Sequence, residues 1–182
     1  MRLSIKQITS NRGFTLIELI IYSALLVIIS GTIIGFFIQL VDVVDTSRRG
    51  RESIDNAKRV LDLIDQEVRH AKSVYTPTSV AGASPGQLGL ETTRDLPTDE
   101  ENTYVDFYID DEGLYIKREG QNADLVTSEK VRVSNLVFTI LQDVNGRQMV
   151  RTQVTIEYKD PKPGSGGSNS VSLVSTAATR SY

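Results

Sequence analysis

Three regimes of hydrophobic and polar patterning follow one another along the chain. Residues 19–41 carry no charged side chain; about 23 residues at the helical rise reach roughly 34 Å, enough to cross a bilayer's hydrocarbon core with some tilt. In the second regime Ile54, Ala57, Leu61, Ile64, Val68, Ala71 and Val74 recur at spacings of three and four. Asp55, Lys58, Asp62, Asp65, Glu67, Arg69 and Lys72 fall largely on other faces, so the pattern is an amphipathic helix with one buried stripe. Between the two, residues 42–52 lack a stripe and include Gly50, which predicts an exposed neck or a continuous but flexible helix. Pro77 biases Thr76 away from the α region and ends the helix nearby. Unbroken from Phe14 to about Ser73, such a helix would span roughly 90 Å and would need a partner surface.

The third regime is strand-like. Residues 76–103 are rich in Gly, Pro, Ser and Thr and read as loop, with a short strand at 88–92. Residues 104–109 and 114–117 flank Asp110-Asp111-Glu112-Gly113, a plausible hairpin turn. Val150, Thr152, Val154, Ile156 and Tyr158 alternate with Arg151, Gln153, Thr155, Glu157 and Lys159, the cleanest half-buried strand in the chain. Val131 and Val133 are out of phase with Leu136, Phe138 and Ile140, which predicts a bend or bulge near Ser134-Asn135. Asn145-Gly146 marks a turn, 160–170 a loop, and 171–175 a final strand. The fold class that follows is α+β: the second half of a long N-terminal helix packs its stripe, 53–75, on one face of an antiparallel sheet built from 104–182.

Composition narrows the chemistry. With no cysteine and a single histidine, thiol nucleophiles, disulfides, thiolate metal sites and multi-imidazole clusters are excluded. His70 reads as a solvated helix residue. The acidic groups Asp99-Glu100-Glu101 and Asp110-Asp111-Glu112 lack the spacing of a calcium loop and read as exposed turns. No metal and no cofactor is expected. Arg48, Arg49 and Arg51 could face anionic headgroups or DNA, but they stand beside Asp42, Asp45 and Glu52 and read better as a solvated face.

The junction ahead of the apolar run holds the most information. Arg2, Lys6 and Arg12, with no acid among residues 1–13, favour a cytoplasmic N-terminus, although three arginines at the far end of the run balance them. A secretory signal would have a shorter apolar region and small residues at a cleavage site; this run ends Phe36-Phe37-Ile38-Gln39-Leu40-Val41-Asp42 and reads as a retained anchor. Glu18 is the one acid at its edge, and an acid near hydrocarbon is a functional hypothesis in itself. Thr15-Leu16-Ile17-Glu18 also fits a T-x-x-E capping box. Gly31 and Gly35 form a G-x-x-x-G that lets helices approach closely, although membrane helices carry glycine freely.

Arg12-Gly13-Phe14-Thr15-Leu16-Ile17-Glu18 followed by a long apolar helix resembles the processing site of type IV prepilins and of the pseudopilins of type II secretion systems. The resemblance implies a pilin-like fold and a chain divided into a cleaved basic leader (1–13), a transmembrane and assembly helix (14–41), its amphipathic continuation (42–75), a loop region (76–103) and a sheet domain (104–182). It implies cleavage after Gly13 by a prepilin peptidase, N-methylation of Phe14 by the same enzyme, and pairing of Glu18 with the N-terminal amine of a neighbouring subunit. A buried carboxylate stripped of such a partner would cost roughly 3 to 5 kcal/mol. The implied partners are the peptidase/methyltransferase, other pilin or pseudopilin subunits, an inner-membrane assembly platform and the bilayer. The mature chain would carry 17 basic and 23 acidic residues, a net charge of −6, so dedicated nucleic-acid binding is not expected. The order of helix stripe, loop, hairpin and two longer strands is similar to the J-type minor pseudopilins and minor pilins. The function implied is a non-enzymatic filament subunit; the alternative is a single-pass membrane-anchored binding module or enzyme whose N-terminus matches by chance.

Overall fold

The computed structural model describes residues 13–94, 96, 100–144, 146–159 and 170–180. The leader residues 1–12, Asp99 of the first acidic group, Asn145 and the loop residues 160–169 lie outside the described residues. The chain divides into two compact units, Met1–Val44 and Asp45–Tyr182, each of which is considered by itself.

A single α-helix, α1, occupies Leu16–His70. It starts two residues after the expected Phe14, because Thr15 takes the capping position: its carbonyl accepts the Leu19 amide at 3.2 Å and its hydroxyl faces the Glu18 amide at 3.4 Å. The segment 42–52 is helical throughout despite Gly50. At the other end the helix stops short of the expected 75, because the following backbone is drawn into a sheet. The Lys72 amide donates to the Glu91 carbonyl and that of Tyr75 to Gly89, both at 2.8 Å.

In the first unit the large apolar side chains of α1, Leu19, Ile28 and Phe37 among them, are exposed. Two of its hydroxyls bond back to the helix: Thr32 donates to the carbonyls of Ile28 (3.1 Å) and Ile29 (2.8 Å), and Ser23 to that of Ile20 (2.9 Å). Such back-bonding is what a polar side chain in hydrocarbon requires.

In the second unit the strands are antiparallel and form two sheets where one was expected. The first has the order β1 (Ser73–Val74), β2 (Leu88–Thr92), β3 (Thr103–Asp110), β4 (Gly113–Arg118), β5 (Asp124–Leu125). The second has the order β6 (Val131–Gln142), β7 (Gln148–Tyr158), β8 (Ser170–Ala178). The first sheet ends because β5 is only two residues long, and β6 then takes β7 as its partner. The strand expected inside the 76–103 loop is β2, whose Leu88 and Leu90 are buried. The β3–β4 hairpin turns at Asp111 and Glu112, with φ of 41° and 62°, the left-handed pair that a two-residue turn of this twist demands. The predicted bulge is present as a register shift between Val133 and Asn135, and it brings Val133 into phase with Leu136 and Phe138 on the core side.

One apolar cluster joins α1 to both sheets. Ala57, Val60, Leu61, Ile64 and Val68 of the helix share it with Phe107 of β3, Leu114 of β4, Phe138 of β6 and Ile156 of β7, among others. Val60 belongs to the stripe although the sequence pattern did not single it out. Ile54, expected in the stripe, is 37% exposed. At that end the helix meets the loop before β6 through polar groups instead: the Ser128 amide donates to Asn56 Oδ1 at 2.8 Å and its hydroxyl to Glu52 Oε1 at 2.9 Å.

Two further contacts fasten helix to strand and strand to strand. Arg118 of β4 donates to Glu67 Oε1 at 2.6 Å, where the Glu67 side chain retains 10% of its exposure and Arg118 31%. Removing the arginine strands a buried carboxylate, whereas removing the glutamate leaves a guanidinium that still reaches water. Arg118→Ala is therefore expected to cost about 2 to 3 kcal/mol and Glu67→Ala about 1, read by denaturant titration of the intact chain in detergent; equal losses would contradict the asymmetry. In the second contact Ser73 Oγ donates to Glu91 Oε2 at 2.6 Å. This bond holds the Glu91 carboxyl below the usual glutamate range against the upward push of desolvation, with help from Lys72. A lowered folded-state pKa means stability that is present above the unfolded value, about 4.3, and lost as pH falls through the folded one. Ser73→Ala should thus lower stability by about 1 kcal/mol near neutral pH and leave it unchanged in acid, where wild type and variant denaturation curves converge.

Candidate functional site

The predicted site residues gather on one face at the start of α1. Phe14, Glu18 and Tyr22 stand at successive intervals of four, a spacing that stacks side chains on a helix. Gly13 and Phe14 precede the helix and are exposed. The Phe14 and Tyr22 rings meet edge to face, centroids 6.3 Å apart at an interplanar angle of 76°, and Glu18 lies between them in the sequence of that face. The Tyr22 hydroxyl faces Glu18 Oε1 at 3.4 Å, long for a hydroxyl bond to a carboxylate. The half-exposed Glu18 carboxylate thus keeps acceptor capacity for a stronger donor.

Thr15 supplies half of the capping box, its hydroxyl facing the Glu18 amide. Glu18 turns its carboxylate along the helix toward Tyr22. Tyr22 is the residue that sequence reading missed; its signal was the interval of four from Glu18. A Cβ built on Gly31 or Gly35 would meet nothing within 4 Å, so their surface is open.

Among the described residues of the second unit, two open grooves are large enough to admit a ligand. One, of about 450 Å³, is lined by Arg48, Arg49, Arg51, Glu52, Lys130 and Tyr158 among others, and the Arg49 guanidinium carbon sits 5.6 Å from the centre of the Tyr158 ring. Arg48 and Arg51 are exposed, and Arg49 is half-buried. The other, of about 350 Å³, is lined by Tyr75, Thr78, Tyr104, Asp106, Lys117 and Glu119 among others; Tyr75 and Tyr104 pack with centroids 4.7 Å apart. Desolvation, Tyr75 and nearby carboxylates push the Tyr104 phenol up, which keeps it protonated and a donor. His70 is exposed on α1, its Nδ1 2.7 Å from the Gln66 carbonyl, and lines neither groove.

Among the described residues one helix, α1, is long and apolar enough to cross a membrane. No curated protein and no solved structure matches the chain. The family model of the prokaryotic N-terminal methylation motif matches residues 8–34, a span that contains Gly13, Phe14, Glu18 and most of the apolar run. That motif, ahead of a long apolar helix and antiparallel sheets, supports a prepilin-type protein of the type IV pilin and pseudopilin family.

Proposed function

We propose that the chain is a minor pilin or pseudopilin subunit of a type IV pilus-like or type II secretion filament. It is made as a membrane-anchored precursor, cut between Gly13 and Phe14 by a prepilin peptidase that also methylates the new amine. The observation that carries the reading is the coincidence of the methylation motif with an exposed Gly13-Phe14 bond lying just outside the first helical turn. A protease needs extended, accessible backbone, and glycine, having no Cβ, allows close approach. The exposed apolar face of α1 stores the subunit in the cytoplasmic membrane, with its N-terminus in the cytoplasm and its sheet domain outside. Extraction by the assembly platform then exchanges lipid for helices of other subunits.

Glu18 is the register device of that exchange. Among the described residues its carboxylate has the long Tyr22 contact alone, and a methylated ammonium from a neighbour is a cationic donor of greater strength. A membrane-tethered enzyme would need a convergent catalytic group; the second groove holds one hydroxyl–carboxylate pair, Thr78 donating to Asp106 Oδ1 at 3.1 Å, but it is exposed, and among the described residues no histidine lines either groove. Open surface at Gly31 and Gly35 would suit close helix packing in the assembled filament.

Two outcomes are expected. Intact mass and N-terminal sequencing of membrane-derived protein should give a mature start at methylated Phe14 when the peptidase is present and the full precursor when it is deleted; Met1 under both conditions would refute the reading. Glu18→Ala should be processed normally yet enter filaments at least about tenfold less than wild type, the factor that roughly 1.4 kcal/mol of lost pairing produces. Filament incorporation measured on sheared fractions would then separate the cut from the charge pair.

A further inference from the structure

Exposed sheet edges invite pairing with other chains, and folded proteins blunt them. Here the edges are treated unequally. The outer strands of the first sheet, β1 and β5, are two residues each, which offers a visiting strand little purchase. The outer side of β6 is occupied by the chain's own backbone. Gly82 donates to the Phe138 carbonyl, Gly86 to that of Leu136, and Val133 to that of Glu112, each at 2.8 Å, while the Leu136 amide reaches Ser84 Oγ at 3.3 Å. Gly86 makes this cover possible, since a Cβ there would stand 3.0 Å from both the Leu136 carbonyl oxygen and the Phe138 ring.

Among the described residues β8 has no such protection. It pairs with β7 through Ser170–Ala178 and ends its sheet, and among the described residues no backbone group bonds to its other side. Its sequence, Ser-Val-Ser-Leu-Val-Ser-Thr-Ala-Ala, contains no charge, proline or glycine, so the usual devices against edge pairing are absent. The Thr179 amide donates to the Gln148 carbonyl at 2.9 Å. Antiparallel alternation then turns the backbone groups of Val171, Leu173, Ser175 and Ala177 toward β7. Those of Ser170, Ser172, Val174, Thr176 and Ala178 point to the open edge.

We propose that this edge is a self-association surface, on which β8 of a second copy of the chain pairs antiparallel about Val174. Several observations favour a copy over a different partner. A strand without charges meets itself without placing like charges opposite one another. Pairing about Val174 sets Ser172 against Thr176 of the other copy and Leu173 against Ser175. Even-numbered residues thereby face even-numbered ones, and the half-buried face of β8 continues across the junction with no inversion of polarity. Val174, 47% exposed, meets its own counterpart at the centre. A two-fold pair of this kind closes at two and leaves no further β8 edge open. The surface is separate from Gly13, Phe14 and Glu18, so its existence does not depend on processing.

The chain has no cysteine, which makes cross-linking clean. Val174→Cys in the intact chain in detergent should give, on mild oxidation, a covalent dimer about tenfold more abundant than Val144→Cys, a loop position 96% exposed. A mixture of Ser172→Cys and Thr176→Cys should cross-link, whereas Ser172→Cys alone should not, because its two copies would lie roughly 13 Å apart along the strands, beyond disulfide reach. Val174→Pro removes an amide that the single chain does not use, so thermal unfolding should be preserved while the 172–176 cross-link disappears; Val174→Lys, which sets two ammonium groups face to face, gives the same loss if proline disturbs the strand. Equal dimer yields at 174 and 144, a retained cross-link in either variant, or bonding of Cys-substituted 174 in cells to another protein and not to a second copy would overturn the proposal.

Discussion

Apolar surface that its own chain does not cover is the constraint on which the rest of the molecule depends. Along 14–44 nearly all large side chains of α1 are exposed, and each would gain roughly 1.5 to 3 kcal/mol on leaving water. Summed over the segment this is tens of kcal/mol, larger than the stability of an ordinary domain. Such a helix has two stable surroundings, lipid or other helices, and under the proposed function the chain would use both in turn. The second unit answers the same constraint internally: beyond residue 53 the apolar side of α1 is covered by two sheets.

The two halves therefore read very differently in the sequence. The uncharged run, the stripe from Ala57 to Val68, the hairpin at 110–113 and the bulge at Ser134 were all legible, because each is a local periodicity or a local break in one. The division of the strands into two sheets was not. Nothing in the alternation of β5 or β6 announces that β5 stops after two residues while β6 turns to β7; pairing partners are a tertiary choice. Ile54 misled for a related reason. Its spacing suits the stripe, but Ser128 arrives at that end of the helix with an amide and a hydroxyl for Asn56 and Glu52, and satisfying polar groups there displaces the apolar contact.

At the N-terminal junction the residues were legible and part of their arrangement was not. Gly13, Phe14 and Glu18 stand out by type and position. That Thr15 caps α1 while Glu18 looks toward Tyr22 depends on side-chain direction, which spacing constrains without deciding. The capping box and the assembly residue are thus compatible readings of one sequence: the hydroxyl of Thr15 serves the backbone, and the Glu18 carboxylate remains available to another group.

The start of α1 at Leu16 has an electrostatic corollary. The first turn of a helix concentrates partial positive charge from its unpaired amides. Under the proposed cut, an ammonium would be created at Phe14, two residues outside that turn and at the unfavourable pole of the helix macrodipole. Glu18, the acid of the first turn, is the only compensating charge between the new terminus and Asp42. Proteolysis would therefore exchange the leader's Arg2, Lys6 and Arg12 for a single cation fixed at Phe14, and terminus, dipole and carboxylate must then be balanced together. A neighbour that satisfies Glu18 with its own terminus would upset that balance unless a third subunit did the same in return, and charge neutrality alone would then favour a continuous series over an isolated pair.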